Sequence, residues 1–174
     1  KIVAICGTGN NGGDCFVAIR HLAAYIDSRY TIVLLGHSSK LRSEEARINW
    51  NIIKKMNSIE VIETDKFTDV LKEIIANADI ILDGIFGTGI KGEIRDPHAS
   101  AIDLINSSKA YKVAADIPSG LDPTTGKVDK RCIQANITIT FHRIKTGLLN
   151  NEKYTGEVHL EHIGIPKEAE IGIV

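Results

Sequence analysis

Short runs that are apolar on both faces constrain this chain more than any other feature. "TIVLL" (31–35) and "DIILD" (79–83) leave no polar side for solvent, so each must be covered above and below, as the central strands of a parallel sheet are. Segments of helical period separate these runs, which is the pattern of a doubly wound α/β sheet. The strands predicted are Ile2–Cys6, Tyr30–Leu35, Ile59–Ile62, Asp79–Asp83, Tyr111–Ile117, Asn136–Phe141 and Glu157–Ile163. Helices are expected near Gly13–Ile26, Ser43–Met56, Phe67–Ala76 and Pro97–Asn106. In the second, Ile48, Ile52 and Met56 recur every four residues and should face the core. The fourth should open with Asp96 as its cap and Pro97 at the first helical position. No repeat, low-complexity segment or linker interrupts the 174 residues. The expected architecture is therefore one three-layer Rossmann-like domain, a mostly parallel sheet with helices on both faces.

Charge and cysteine content narrow the partners. A net charge of −1 supplies no basic field for nucleic acid. No stretch approaches the roughly 20 apolar residues of a membrane span. Cys6, Cys15 and Cys132 show neither C-x-x-C nor zinc spacing and read as reduced thiols of a cytoplasmic protein. The chain opens within a residue of its first strand, so no signal peptide is expected.

Ligands of an open α/β sheet collect beyond the carboxyl ends of the strands. Four unusual stretches fall there: "GTGNNGGD", "DGIFGTGIKGEIRD", "DIPSGLDPTTG" and "FHRIKTGLL". In the first, Gly7, Gly9 and Gly12 satisfy G-x-G-x-x-G, although Asn-Gly-Gly is also an ordinary turn. The amides of Gly12 to Asp14 should open a helix toward an anion, and Gly13 should let the backbone approach a phosphate closely. A plain dehydrogenase needs an acid after the second strand for the ribose hydroxyl. "LLGHSSK" has none, though a phosphate-bearing ribose would still be accommodated. In the second stretch Gly87, Gly89, Gly92, Lys91 and Glu93 suit a further contact to phosphate or ribose. It is not a Walker A loop, because Gly92 follows Lys91.

Asp83 and Asp116 each end an apolar strand on this rim, accompanied by Asn11 and Ser119. A carboxylate, an amide oxygen and a hydroxyl suit a hard cation, a monovalent one as well as magnesium, and the lack of nearby Cys or His argues against zinc. The other carboxylate would then be free to move protons. His142, Arg143 and Lys145 follow the sixth strand, and Lys145 is also suited to neutralising a substrate phosphate.

Together the four stretches resemble, in order, the YjeF N-terminal family of NAD(P)H-hydrate epimerases, with the likeness running from Ile2 to about Ile165 and the domain taken as 1–174. The resemblance implies an isomerase that interconverts the R and S epimers of hydrated NADH and NADPH (NADHX and NADPHX) in metabolite repair. A companion nucleotide-dependent dehydratase, one bound potassium ion per subunit and a homodimer are implied with it. By position it assigns the nucleotide to Asn10, Asn11, Gly12, Gly13, Asp14, Gly87, Thr88, Gly89, Ile90, Lys91, Gly92, Glu93 and Asp116. It assigns potassium to Asn11, Asp83 and Ser119. Asp116 is the first choice for acid–base catalysis and Lys145 the reserve. Two departures from the family pattern are evident. Cys15 replaces a usual glycine, which is expected to narrow the helix entrance, and the helical segment that usually precedes the first strand is expected to be missing. The competing readings are a non-catalytic dimerising scaffold of the same fold and an NAD(P) oxidoreductase. Redox turnover would change NADH absorbance, and epimerisation would not.

Overall fold

In the computed structural model, which describes residues 1–89, 93–128 and 130–170, the strands form one seven-stranded, all-parallel sheet. They are β1 (Ile2–Cys6), β2 (Tyr30–Leu35), β3 (Ile59–Thr64), β4 (Ile80–Gly84), β5 (Tyr111–Ala115), β6 (Ile137–Phe141) and β7 (Glu157–Glu161). The helices are α1 (Asn10–Tyr25), α2 (Glu44–Ile53), α3 (Asp69–Ala76), α4 (His98–Ser107) and the single turn α5 (Glu152–Thr155). Strand order is β3-β2-β1-β4-β5-β6-β7, so the chain reverses direction across the sheet between β1 and β4. That is the topological switch point at which such sheets bind their ligands.

The two-residue period of β1 and β2 sorts their side chains into two cores. Val3, Ile5, Val33 and Leu35 meet Leu71, Ile75, Ala101, Ile102 and Ile105 of α3 and α4. Ile2, Ala4, Cys6, Ile32 and Leu34 meet Phe16, Ile19, Ala46, Trp50 and Ile53 of α1 and α2. These doubly covered strands are the uninterrupted apolar runs of the sequence. A smaller cluster of Ile117, Leu121, Cys132 and Leu148 closes the helix-free crossover between β5 and β6. Ser43 caps α2 and Thr68 caps α3, each hydroxyl accepting the amide three residues on, and each satisfies a donor that the helix end leaves open.

Several expectations need correction. The α2 stripe that meets the core is Ala46, Trp50 and Ile53, with Trp50 packed on Phe16 at 5.1 Å between ring centroids. Ile48 and Ile52 are 51% and 38% exposed, and Met56, beyond the helix, only partly joins this core. The indole's bulk selects the face, and an isoleucine spacing alone does not reveal that. Pro97 sits just before α4, while Asp96 Oδ1 accepts the Ser100 amide at 3.0 Å. α1 begins three residues earlier than expected. β5 ends at Ala115, because Asp116 turns the backbone to a φ of 64°. Cys15, the residue in place of the usual glycine, turns toward the sheet. It is fully buried, and its Sγ lies 2.5 Å from where a Cβ on Gly84 would be.

Gly7 and Gly9 have different jobs. A Cβ on Gly7 would lie 2.1 Å from the Ile85 carbonyl oxygen, whereas one on Gly9 would meet nothing within 4 Å. Gly7→Ala is expected to destabilise the fold by about 1–3 kcal/mol through overpacking against backbone. Gly9→Ala should stay within about 0.5 kcal/mol of wild type, as an open surface change does. Urea denaturation of the two variants measures the contrast.

Candidate functional site

The β1–α1 and β4–α4 loops diverge at the switch point and enclose a cavity of about 1150 Å³. Small-molecule sites commonly run from roughly 300 to 1,000 Å³, so this one has room for a dinucleotide. Its walls include Gly7 to Asn11, Asp14, Arg42, Ser43, Ile85 to Gly89, Glu93 to Asp96, His98 and Asp116. No side chain caps α1 at Gly9, so the amides of Asn10, Asn11 and Gly12 have no intrahelical acceptor. The amides left open at the start of α1 are therefore those of Asn10 to Gly12, of which Gly12 belongs to the expected Gly12–Asp14 set. Gly13 already donates to the Gly9 carbonyl at 3.3 Å, and a Cβ on it would meet Ala46 of α2 at 3.1 Å. Gly13 therefore serves the close packing of α1 on α2.

Beneath the cavity lies a buried polar knot that brings Asn11, Asp83 and Ser119 together. Asp83, fully buried at the end of β4, accepts the Ser119 amide at 2.7 Å, the Ser119 hydroxyl at 2.5 Å and the Ile85 amide at 3.2 Å. Burial pushes its carboxyl up to about 6 against the opposing pull of these hydrogen bonds. The Phe86 amide donates to Ser119 Oγ at 2.8 Å, and Asn11 Nδ2 donates to the Phe86 carbonyl at 2.8 Å. Asn11 Oδ1 is buried with no hydrogen-bond donor. An orphaned amide oxygen, linked through the Phe86 backbone to the Ser119 hydroxyl and the buried Asp83 carboxylate, belongs to an all-oxygen set of the kind a hard cation takes.

A second cluster stands at the ends of β5 and β6. Asp116 Oδ1 accepts the Phe141 amide at 3.1 Å and the Thr140 hydroxyl at 3.3 Å, and is ion-paired with Lys145. Lys145 Nζ also donates to Thr140 Oγ1 at 3.0 Å and to the Phe141 carbonyl at 2.9 Å. All three ammonium donors are thus used within the protein, which leaves none for a substrate phosphate. Asp116 holds a left-handed backbone that costs a non-glycine residue energy, and such strain concentrates at functional sites. Asp14, on α1, opens into the cavity. Partial loss of solvent around its carboxyl, the larger effect, and the negative charge of Asp116 push it up to about 6.

Gly87, Thr88, Gly89 and Glu93 line the cavity as the sequence suggests, and Glu93 is ion-paired with Lys130. Ile90, Lys91 and Gly92 lie outside the described residues. Sequence reasoning passed over Arg42, Arg95, Phe86 and His98. The His98 ring lies 5.0 Å from that of Phe86, and burial holds its imidazole below the usual range, opposed by hydrogen bonding to the Leu35 and Arg95 carbonyls. None of the four belongs to a recognisable spacing, because two come from the flanks of helices on opposite faces of the sheet.

Comparison with known proteins bears on this geometry. Residues 1–147 match the family described as YjeF-related protein N-terminus. An NAD(P)H-hydrate epimerase of Cenarchaeum symbiosum is 47% identical over 174 residues, covering all of this chain and 79% of that protein. A bifunctional NAD(P)H-hydrate repair enzyme of Pyrobaculum aerophilum is 44% identical over 175 residues, covering 98% of this chain but 34% of that protein. The crystal structure of the yeast protein ynu0 superposes with a TM-score of 0.81 at 22% identity, over 98% of this chain and 69% of that one, which supports the same fold.

The Asp14–Asp116 coupling has a measurable sign. Removing the Asp116 charge in Asp116→Asn should lower the Asp14 midpoint from about 6, with burial keeping it above the usual 3.8, as followed by carboxyl-carbon NMR. A carboxyl raised in the folded state binds more protons there than in the unfolded chain. Its contribution to stability is thus fully present below 3.8 and is lost as pH rises through about 6. The stability of wild type relative to Asp14→Asn should accordingly fall across that window in chemical denaturation.

Proposed function

The chain belongs to the YjeF-related N-terminal family, and from that premise we propose that it is an isomerase that epimerises hydrated NADH and NADPH. The observation that carries the proposal is the placement of a proton-handling cluster at one end of a dinucleotide-sized cavity whose floor is an open helix N-terminus. The amides of Asn10 to Gly12 suit the pyrophosphate, which a helix N-terminus favours by about 0.3–1 kcal/mol, or up to ~2 when partly buried. Asp14, Asp116 and Lys145 then stand where the hydrated nicotinamide would lie.

Epimerisation inverts one carbon without net redox. In one route the hydroxyl takes a proton and leaves as water. The ring nitrogen's lone pair forms an iminium, and water re-adds from the other face with loss of a proton. In the other, the ring opens and closes with the same proton traffic. Either route needs a group that accepts and returns protons beside the hydrated carbon and a negative charge to stabilise the cationic intermediate. Asp116 meets both needs, and Lys145 acts as a positioning residue that holds it in its left-handed turn. Asp14, with its carboxyl raised to about 6, is suited to holding a proton over the same space.

The reading includes one potassium ion held by Asn11, Asp83 and Ser119. The donor-less Asn11 Oδ1 and the all-oxygen chemistry of the set support the fit. The ion would balance the buried Asp83 charge and tie the β1, β4 and β5 loops to one centre. A dehydratase acting on one epimer is the companion proposed, in keeping with the name of the bifunctional relative.

Chromatographic separation of the two epimers, followed over time with and without the protein, tests the activity. General acid–base groups contribute typically ~10²–10⁴-fold, so Asp116→Asn, still folded, should slow exchange by about that factor. Exchange at the wild-type rate removes Asp116 from the mechanism. Calorimetry with potassium varied against choline should show nucleotide affinity rising with potassium in wild type and insensitive to it in Asp83→Asn.

A further inference from the structure

The two ends of the cavity differ in charge chemistry. Asp14 and Asp116, the latter ion-paired with Lys145, line the cavity near the end of β5, and Arg42, in the connection after β2, and Arg95, before α4, line it as well. Arg42 immediately precedes the cap of α2, and its amide donates to the Thr8 carbonyl at 3.0 Å. Arg95 stands before α4, where burial lowers the proton affinity of the His98 imidazole and the Leu35 and Arg95 carbonyls both raise it. β2 and β5 are three strand spacings apart, about 14 Å, which a dinucleotide spans when it lies across the switch point.

Neither arginine forms an ion pair with a carboxylate among the described residues, although acids are close by. Glu93 is paired with Lys130, and Asp96 accepts both the amide and the hydroxyl of Ser100. The end of β2 carries no acid of its own. Glu63, which reaches it from β3, has its two oxygens committed to the Ser38 amide at 2.7 Å and the Ser38 hydroxyl at 3.0 Å. An unmodified ribose is ordinarily held there by a carboxylate, and a phosphorylated one by arginine. The Arg95 guanidinium interacts electrostatically with Glu93, whose carboxyl it helps Lys130 to hold below the usual range. Arg42 has no carboxylate partner among the described residues, and a guanidinium so placed fits a phosphate dianion through paired N–H donors.

We propose that Arg42, with Arg95 lining the same cavity, forms a subsite for a phosphate on the 2′-oxygen of the adenosine ribose, so that the chain prefers the phosphorylated form of its dinucleotide substrate. The proposal rests on the epimerase reading for the direction in which the nucleotide lies: proton chemistry at the nicotinamide places the adenosine at the opposite end.

Calorimetry of the intact chain with adenosine 2′,5′-bisphosphate and with adenosine 5′-monophosphate tests the subsite without catalysis. Wild type should bind the bisphosphate at least about ten-fold more tightly, a typical return for a charge-assisted bidentate contact. Arg42→Gln should abolish that preference while keeping the monophosphate affinity, and Arg95→Gln should reduce it. Both side chains are exposed, so neither variant threatens the fold. Equal affinities in wild type overturn the proposal. So does an equal loss for both ligands in Arg42→Gln, which would place the arginine on the shared 5′-phosphate. The epimerase reading fails by a different signature, an absence of epimer exchange by wild type whatever the calorimetry gives.

Discussion

A carboxylate buried at the end of a central parallel strand has to be answered by donors from the chain around it, since leaving it unsatisfied costs several kcal/mol. Asp83 is in that position, and its answer organises the whole rim. Ser119, from the loop after β5, donates twice, and Ile85 donates from the turn directly after β4. The same Ser119 hydroxyl receives the Phe86 amide, and the Phe86 carbonyl receives Asn11 from the first loop. Three loops that would otherwise wander are thereby fastened to one centre, and the cavity is the space above it.

Close backbone approach completes that arrangement. Gly7 lies against the Ile85 carbonyl and Gly12 against the Gly7 carbonyl, so the β1 and β4 turns approach backbone to backbone there, while Gly84 leaves room for the Cys15 side chain of α1. The glycines of the fingerprint therefore act mostly on the protein itself. On this rim Gly9 and Gly89 leave open space around them. The ligand-facing part of the first loop is the uncapped start of α1, and sequence spacing alone placed that start three residues too late.

The paired acids show how tertiary contact changes chemistry. Asp14 and Asp116 are remote in sequence, yet the charge of one raises the proton affinity of the other. Lys145, which by sequence alone suits a phosphate, spends its three donors on Asp116, Thr140 and the Phe141 carbonyl. Its reassignment follows from the left-handed turn at Asp116, which brings the end of β5 under the loop after β6.

Much of this protein was legible in the residues themselves. Doubly apolar runs demanded a covered parallel sheet. The four rim motifs fell at strand ends because a βαβ chain has to return its loops to the same edge. The residue types Asn11, Asp83, Ser119 and Asp116 already named oxygen chemistry. These are local properties, carried by side-chain period and by turn-forming residues. Three features depended on the assembled fold: that Trp50 and not Ile48 or Ile52 turns inward, that Gly13 serves a neighbouring helix, and that Arg42 and Arg95 share a cavity with Asp116. The reason is physical. Which face a helix buries, what a carboxyl feels and which charges find partners are set by neighbours tens of residues away, and no spacing within one segment encodes those distances.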